Sequence, residues 1–419
     1  MPTPRTPPHL AQPQLTYASE GDNDSYLTAI VRGFHEDFVA DQWEAERKVT
    51  EWDRCFGFTV QDRWIATCGA YSRVMTVPGG QLPVAAVSIV TVAPPYRRRG
   101  LLNQMMKHQL EDVQRRGVEP VALLWASESL IYGRYGYGHA SPRLTLSGPT
   151  RRLSFLPGVS LGAGSVDEVS QEEFLAGASV VQADLVGDRP GALARTPEWW
   201  GVKLFDPEAW RRGAGALRFA LHYDGDGGVD GYATFRVAES DKPAHPGREV
   251  RVLDLDAARP DAYAALWRFL LDLDLIRSFS RRIAPVDEPL RYLVADHRAV
   301  GTEVLDGTYA RIVDVPAALA ARSYSREVDL VLELTDYLLP ANAGRWRLRT
   351  SAADAQVEPT GSSPDVTMDI RELGAGYLGG TSFDALHRAG LILEHTADAA
   401  SQLAAAFSWP LLPFCPDEF

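Results

Sequence analysis

Apolar positions along this chain recur with two periods, close to two for strands and close to 3.6 for helices, and the alternation divides the chain into three stretches. In the first, Leu15 to Ala18 reads as a short strand and Ser25 to Glu46 as an acidic, amphipathic helical region. Apolar strands follow at Cys55 to Val60 and Trp64 to Val77, and Pro78-Gly79-Gly80 turns the chain back into an apolar run from Leu82 to Val92. Pro94-Pro95 ends that run, and from Gly100 to Arg116 the residues Leu101, Leu102, Met105, Met106, Leu110 and Val113 recur at helical spacing. Pro120 to Trp125 is fully apolar and of strand length, the pattern of a buried parallel strand. Ala126 to Gly138 begins as a short helix capped by Ser127 and ends in glycine turns.

The second stretch, joined through Ser147-Gly148-Pro149, repeats this grammar. It has an apolar helix around Phe174 to Leu185, a hairpin through Asp224 to Gly228, a strand from Glu249 to Asp256 and a helix from Ala262 to Leu273. From about Gly301 strands are expected at Val328 to Leu334, Trp346 to Arg349 and Val366 to Ile370, with the turn Pro359 to Pro364 between the last two. Helices are expected at Ile370 to Leu378, Ser382 to Ala389 and Thr396 to Ala406. The fold class is therefore α/β twice, followed by an α+β region. The boundaries are a disordered arm at 1–14, whose first 13 residues hold five prolines, then domains at 15–149, 150–300 and 301–419.

Composition narrows the function. Apolar residues at 45% and charged residues at 23% are ordinary for a folded chain. The balance of 42 Lys and Arg against 55 Asp and Glu, a formal charge of −13, repels nucleic acid and anionic membranes and draws in cationic small molecules. The three cysteines, Cys55, Cys68 and Cys415, have no metal-binding spacing, so no metal is expected and a reduced cytoplasm fits best.

The turn Pro94 to Asn103 carries the candidate chemistry. A strand breaks there into Arg97-Arg98-Arg99-Gly100 and opens a long helix. The first N–H groups of a helix have no intrahelical partner, the macrodipole adds partial positive charge, and three arginines add full charges, so a pyrophosphate fits. In a strand–helix–strand unit this turn and the segment after Trp125 meet at the same carboxyl edge of the sheet, where open α/β sheets bind ligands.

The spacing Arg97-x-x-Gly100-x-Leu102 resembles the acyl-coenzyme-A loop of the GNAT N-acetyltransferases. Together with Ser127-Glu128 and Ile131-Tyr132-Gly133-Arg134-Tyr135-Gly136-Tyr137-Gly138, it resembles the enhanced intracellular survival (Eis) family of that superfamily. The resemblance implies tandem GNAT-like domains followed by a sterol-carrier-like domain, acetyl-CoA as cosubstrate and a homo-hexamer. It places the acyl and pantetheine portion on the backbone of Val90, Thr91 and Val92, and the pyrophosphate on Arg98, Arg99, Gly100, Leu101, Leu102 and Asn103. Ser127 and Glu128 border the coenzyme, and Tyr132 maps onto the general acid, with Tyr135 and Tyr137 as nearby competitors. At the corresponding turn the second domain has Asp254-Leu255-Asp256, which would repel a pyrophosphate, so no second coenzyme site is expected.

Chain ends are usually polar, yet Phe407 to Phe419 holds four aromatic residues, the composition of a docked tail. In the resembled family the terminal α-carboxylate serves as base, a role that falls here on Phe419. Acetyl transfer from a thioester needs a neutral amine, a stabilised oxyanion, assigned here to a backbone N–H near Val92, and a proton for the thiolate. Glu36, Asp37, Asp41 and Glu418, with Phe34 and Trp43 as walls, are candidates to bind ammonium groups. Trp199-Trp200 either lines an acceptor pocket or packs an interdomain helix. The expected function is N-acetylation of cationic amines, such as aminoglycosides, polyamines or lysine side chains. The alternative is a non-catalytic sensor of coenzyme A or lipid, which would bind coenzyme but turn over no amine.

Overall fold

The computed structural model describes residues 12–37, 44–240, 247–351 and 354–419. The first two stretches share one twelve-stranded sheet in the order β1-β2-β3-β4-β5-β12-β6-β11-β10-β9-β8-β7. In chain order its first six strands are β1 Gln14–Tyr17, β2 Phe56–Val60, β3 Arg63–Val77, β4 Gly80–Val92, β5 Val121–Trp125 and β6 Gly138–Pro149. The other six are β7 Ser165–Val169, β8 Arg218–Tyr223, β9 Val229–Ser240, β10 Gly247–Ala257, β11 Ile276–Ala284 and β12 Gly301–Ile312. The third region is a five-stranded sheet in the order β15-β14-β13-β16-β17, with β13 Asp329–Thr335, β14 Gly344–Thr350, β15 Ala355–Pro359, β16 Val366–Asp369 and β17 Ile392–Glu394.

Two helices matter for the site, α1 Asn23–Phe34 and α2 Leu101–Arg116. The apolar stripe of α2 packs Leu101, Met105, Met106, Leu110 and Val113 into the core formed with β2 to β5. The α1 helix lies across β3 and β4, and Gly33 sets how near it comes: a Cβ there would stand 2.4 Å from the Thr91 Cβ.

Three differences from the sequence expectations have physical causes. Gly301–Ile312 is not the start of the third sheet but β12, inserted between β5 and β6, where Thr308 pairs with Trp125 and Ala310 with Gly138. Its first half, Gly301-Thr302-Glu303-Val304, is exposed and Tyr309 to Ile312 is buried on both faces, so no period-two pattern marks it. The turn at 359–364 follows an additional polar strand, β15, which comes between the two expected strands in sequence and pairs with β14 at the edge of the sheet. The short helix α3 Ser129–Tyr132 starts after Glu128 rather than Ser127. The helix Ile370–Gly376 packs on β6 and β12, and a buried ion pair crosses the same junction. Arg311 of β12 gives its Nη2 to Asp336 Oδ1 at 2.7 Å and its Nε to the Tyr135 carbonyl at 2.8 Å. No helix among the described residues is long and apolar enough to cross a membrane.

Candidate active site

The parallel strands β4 and β5 pair only over Val84–Ala86 and Val121–Leu123, and beyond that they part. On its other side β4 is bulged: Ser88 pairs with Gly69 and Thr91 with Thr67, so the register skips Ile89 and Val90, and Ile89 has a φ of 52°. Val90 is thus left out of both registers, next to where β4 and β5 part. Thr91 is buried with its hydroxyl on Thr67 Oγ1 at 2.7 Å, and Val92 is paired with Ala66. Of the three expected residues, Val90 is the one that the bulge leaves without a register partner, two residues from Val92.

Past β4 the chain makes the basic turn. Arg97 Nε donates to the Val92 carbonyl at 3.1 Å, Arg98 takes a φ of 61° and Gly100 one of 78°. Gly100 is the residue before α2, and its carbonyl accepts the first helical bond, from Gln104 N at 3.1 Å. The N–H groups of Leu101, Leu102 and Asn103 precede that bond and point out of the helix start. Arg97, Arg98, Arg99 and Gly100 are exposed around them. The Leu101 side chain is buried beneath, so only its backbone reaches this surface. Asn103 Oδ1 is engaged by the Tyr135 hydroxyl.

The three tyrosines near the site have different surroundings. Tyr137 is buried with its hydroxyl enclosed in the core, and Tyr135 is tied to Asn103. Tyr132, at the end of α3, lines a cavity of about 1310 Å³ that also takes in Val90 and Ser127. Burial pushes the Tyr132 phenol up to about 12, so it stays protonated at neutral pH. Glu128, at the exposed N-terminal boundary of α3, is adjacent in sequence to Ser127.

The same cavity receives the end of the chain: Glu418 and Phe419 line it. The tail reaches this place through a series of polar contacts. Ser141 Oγ donates to the Pro413 carbonyl at 3.0 Å, Arg189 Nη1 to the Leu412 carbonyl at 2.8 Å, Lys203 Nζ to the Pro416 carbonyl at 2.7 Å, and Trp125 Nε1 to the Asp417 carbonyl at 2.8 Å. The Asp417 carboxylate is buried on Arg195, and the cations Arg195, Lys203 and Arg73 hold its carboxyl well below the usual range.

The walls of the cavity differ in charge. The first-domain wall carries Phe34, Glu36, Asp37 and Glu46, while Asp41 and Trp43 lie outside the described residues. Trp199 lines the cavity beneath Arg73, whose guanidinium sits 3.9 Å above its ring, whereas Trp200 is buried in the second-domain core. The second-domain side carries Arg236, Arg251 and Arg282 on the sheet and Arg211 and Arg212 beside it, five cations against the two carboxylates, Glu249 and Glu303, that line the cavity there among the described residues. Asp254-Leu255-Asp256, expected at a turn, lies within β10, and Asp254 is buried in an ion pair with Arg195 at 2.9 Å, so it is not open to a ligand in the manner of the first-domain turn. Sequence reasoning missed Asp417, its partner Arg195 and this basic wall. The spacings Arg251-x-Leu253 and Ser280-x-Arg282 do put their members on one strand face, a signal that was available.

Residues 14–140 and 191–312 each match a family described as an acetyltransferase (GNAT) domain, and residues 315–416 match a sterol carrier protein domain. The chain is 41% identical over 406 residues to an uncharacterized N-acetyltransferase of Streptomyces coelicolor, covering 94% of this chain and 97% of the relative. It is 36% identical over 339 residues to the N-acetyltransferase Eis of Mycobacterium tuberculosis, with 80% of each chain covered. The crystal structure of Eis1 from Mycobacterium abscessus matches with a TM-score of 0.82 at 32% identity, over 97% of this chain and 100% of that one.

Proposed function

This chain belongs to the Eis family of GNAT N-acetyltransferases, and on that premise we propose that Tyr132 is the general acid and the Phe419 carboxylate the group that receives the acceptor amine. The observation that carries the proposal is that Tyr132, Val90 and Phe419, which come from three distant parts of the chain, border one cavity.

In this reading acetyl-CoA lies along the parted edge of β4. Val90, Thr91 and Val92 border its acyl and pantetheine portion, with Ser127 and Glu128 opposite. Its pyrophosphate lies on the N–H groups of Leu101, Leu102 and Asn103, with Arg98, Arg99 and Gly100 around it. A backbone N–H in the Val90 to Val92 stretch donates to the developing oxyanion, a role supported by Val90 lining the same cavity as Tyr132. Tyr132 hands its phenolic proton to the departing thiolate, a task suited to a hydroxyl that burial keeps neutral.

The terminal carboxylate, with an unperturbed pKa of about 3.3–3.7, is a weak acceptor for an ammonium proton. Its part is to attract and orient the amine, passing the proton to water. Acceptors are amines presented by cationic small molecules or lysine side chains, drawn towards Glu36, Asp37 and Glu418. Thiol release from acetyl-CoA, measured against aminoglycosides, polyamines and lysine peptides, tests this: turnover with at least one class supports it, and none with any class removes it.

A further inference from the structure

The second-domain wall of the cavity is built with cations set against each other. Arg236 of β9 and Arg251 of β10 are direct cross-strand partners. Like charges directly opposite one another on antiparallel strands destabilise a sheet. On the other side Arg251 pairs with Ser280 of β11, and Arg282, two residues along and therefore on the same face, also lines the cavity. The charge opposing this row is incomplete. Arg236 shares the single carboxylate of Asp206 with Arg211, and Arg251 holds Glu249 at 2.9 Å. Arg282 is exposed to the cavity, and no carboxylate stands within ion-pair distance of its guanidinium among the described residues. A chain with a formal charge of −13 has thus gathered arginines on one wall of the cavity in which its amine acceptor would react.

We propose that this row is an anion subsite, and that the acceptor is an amine that also carries an acid group, a carboxylate or a phosphate, at a distance from the reacting nitrogen. The inference rests on the reading of the cavity given above. The separation follows from the sheet order: β5, at the parted edge, lies three strand spacings from β11 and four from β10. At about 4.8 Å per spacing that is roughly 14–19 Å along the sheet. A free amino acid is too short to join the two ends. An extended peptide carrying a lysine or N-terminal amine followed at some four to six residues by acidic side chains has the reach. So does a long amine ending in a phosphate. The acidic wall near Phe419 takes the ammonium end and the arginine row takes the acid.

The test compares a lysine peptide that bears two glutamates five residues beyond the amine with its glutamine counterpart, and an amine bearing a distal phosphate with its dephosphorylated form. Native protein is expected to favour the acidic member of at least one pair by about tenfold in kcat/KM. Arg282→Gln is expected to lower that preference about fivefold, and Arg388→Gln, an exposed arginine of the third region, to keep it. Preference only in the phosphate pair identifies a phosphate subsite, and only in the peptide pair a carboxylate one. Acetylation without preference in either pair, or a preference that Arg282→Gln leaves intact, rejects the subsite while the parent reading stands. If no amine is acetylated the parent reading falls, and binding of the two acidic probes to the coenzyme-loaded protein decides the subsite: fivefold weakening of one of them by Arg282→Gln supports it, and equal binding of both rejects it.

Discussion

Arg195 grips the Asp417 carboxylate with its Nε at 3.0 and 3.1 Å from the two oxygens, and this buried pair lies two residues before the end of the chain. Arg195 stands just before the helix Pro197–Lys203 of the second domain and also bridges to Asp254 at 2.9 Å, so the pair joins the tail to the second-domain sheet. Removing one partner of such a pair leaves the other charged and buried, at a cost of about 3–5 kcal/mol. Arg195→Met is therefore expected to lower the midpoint of thermal unfolding and to reduce kcat/KM for the amine more than for acetyl-CoA. Unchanged amine kinetics in a folded variant would detach the tail from the chemistry.

The pH dependence of that anchor has a definite sign. The Asp417 carboxyl sits below its ordinary range, so its contribution is complete above the unfolded pKa of about 3.9 and is lost as pH falls through the folded value. Between pH 6 and 8 that contribution is complete, so the change of unfolding midpoint with pH in this window should owe nothing to Asp417, and the native protein should lose more stability than Asp417→Asn on acidification below pH 4.

Tyr132 titrates at the other end. Its phenol is pushed up by burial to about 12, so the proton it is proposed to donate is present throughout the assay range. Activity should rise with pH as the acceptor amine becomes neutral and show no fall below pH 10 that belongs to this residue. Tyr132→Phe should lower kcat about a hundredfold or more, with acetyl-CoA binding retained by calorimetry. Full activity in that variant would pass the role to another donor.

The phosphate turn makes a separate prediction. Gly100 holds a φ of 78°, a conformation that costs an L-residue about 1–2 kcal/mol. Gly100→Ala is expected to raise KM for acetyl-CoA several-fold with a smaller effect on kcat, read from initial rates.

Packing above the turn is equally specific. Gly33→Ala places a methyl group 2.4 Å from the Thr91 Cβ, and overpacking of this kind costs about 1–3 kcal/mol. A lowered unfolding midpoint with a raised KM for acetyl-CoA is expected, because α1 must move away from β4.

Much of this was legible in the residues. Pro94-Pro95 and Gly100 bounded the turn, and the period of Leu101, Met105 and Leu110 fixed the helix behind it. The apolar tail was readable because Phe414 and Cys415 have no reason to be apolar unless they are buried, as they are. What could not be read depends on contacts between distant segments. Asp417 pairs with Arg195, 222 residues away, and no local pattern distinguishes it from Glu418, which is exposed. β12 stayed hidden because Tyr309 and Arg311 are buried by different neighbours from those that leave Val304 exposed. The register skip at Val90 depends on a bulge at Ile89, a β-branched residue with positive φ, which composition argues against.

The central claim is that the end of the chain is part of the active site, and one added residue tests it. A glycine placed after Phe419 moves the terminal charge by one position and leaves the coenzyme turn and Tyr132 untouched. Thiol release from acetyl-CoA with the best amine acceptor should fall at least tenfold in the extended protein, with its KM for acetyl-CoA unchanged. Equal turnover in the native and extended proteins would contradict the account, leaving the tail as a strut between domains.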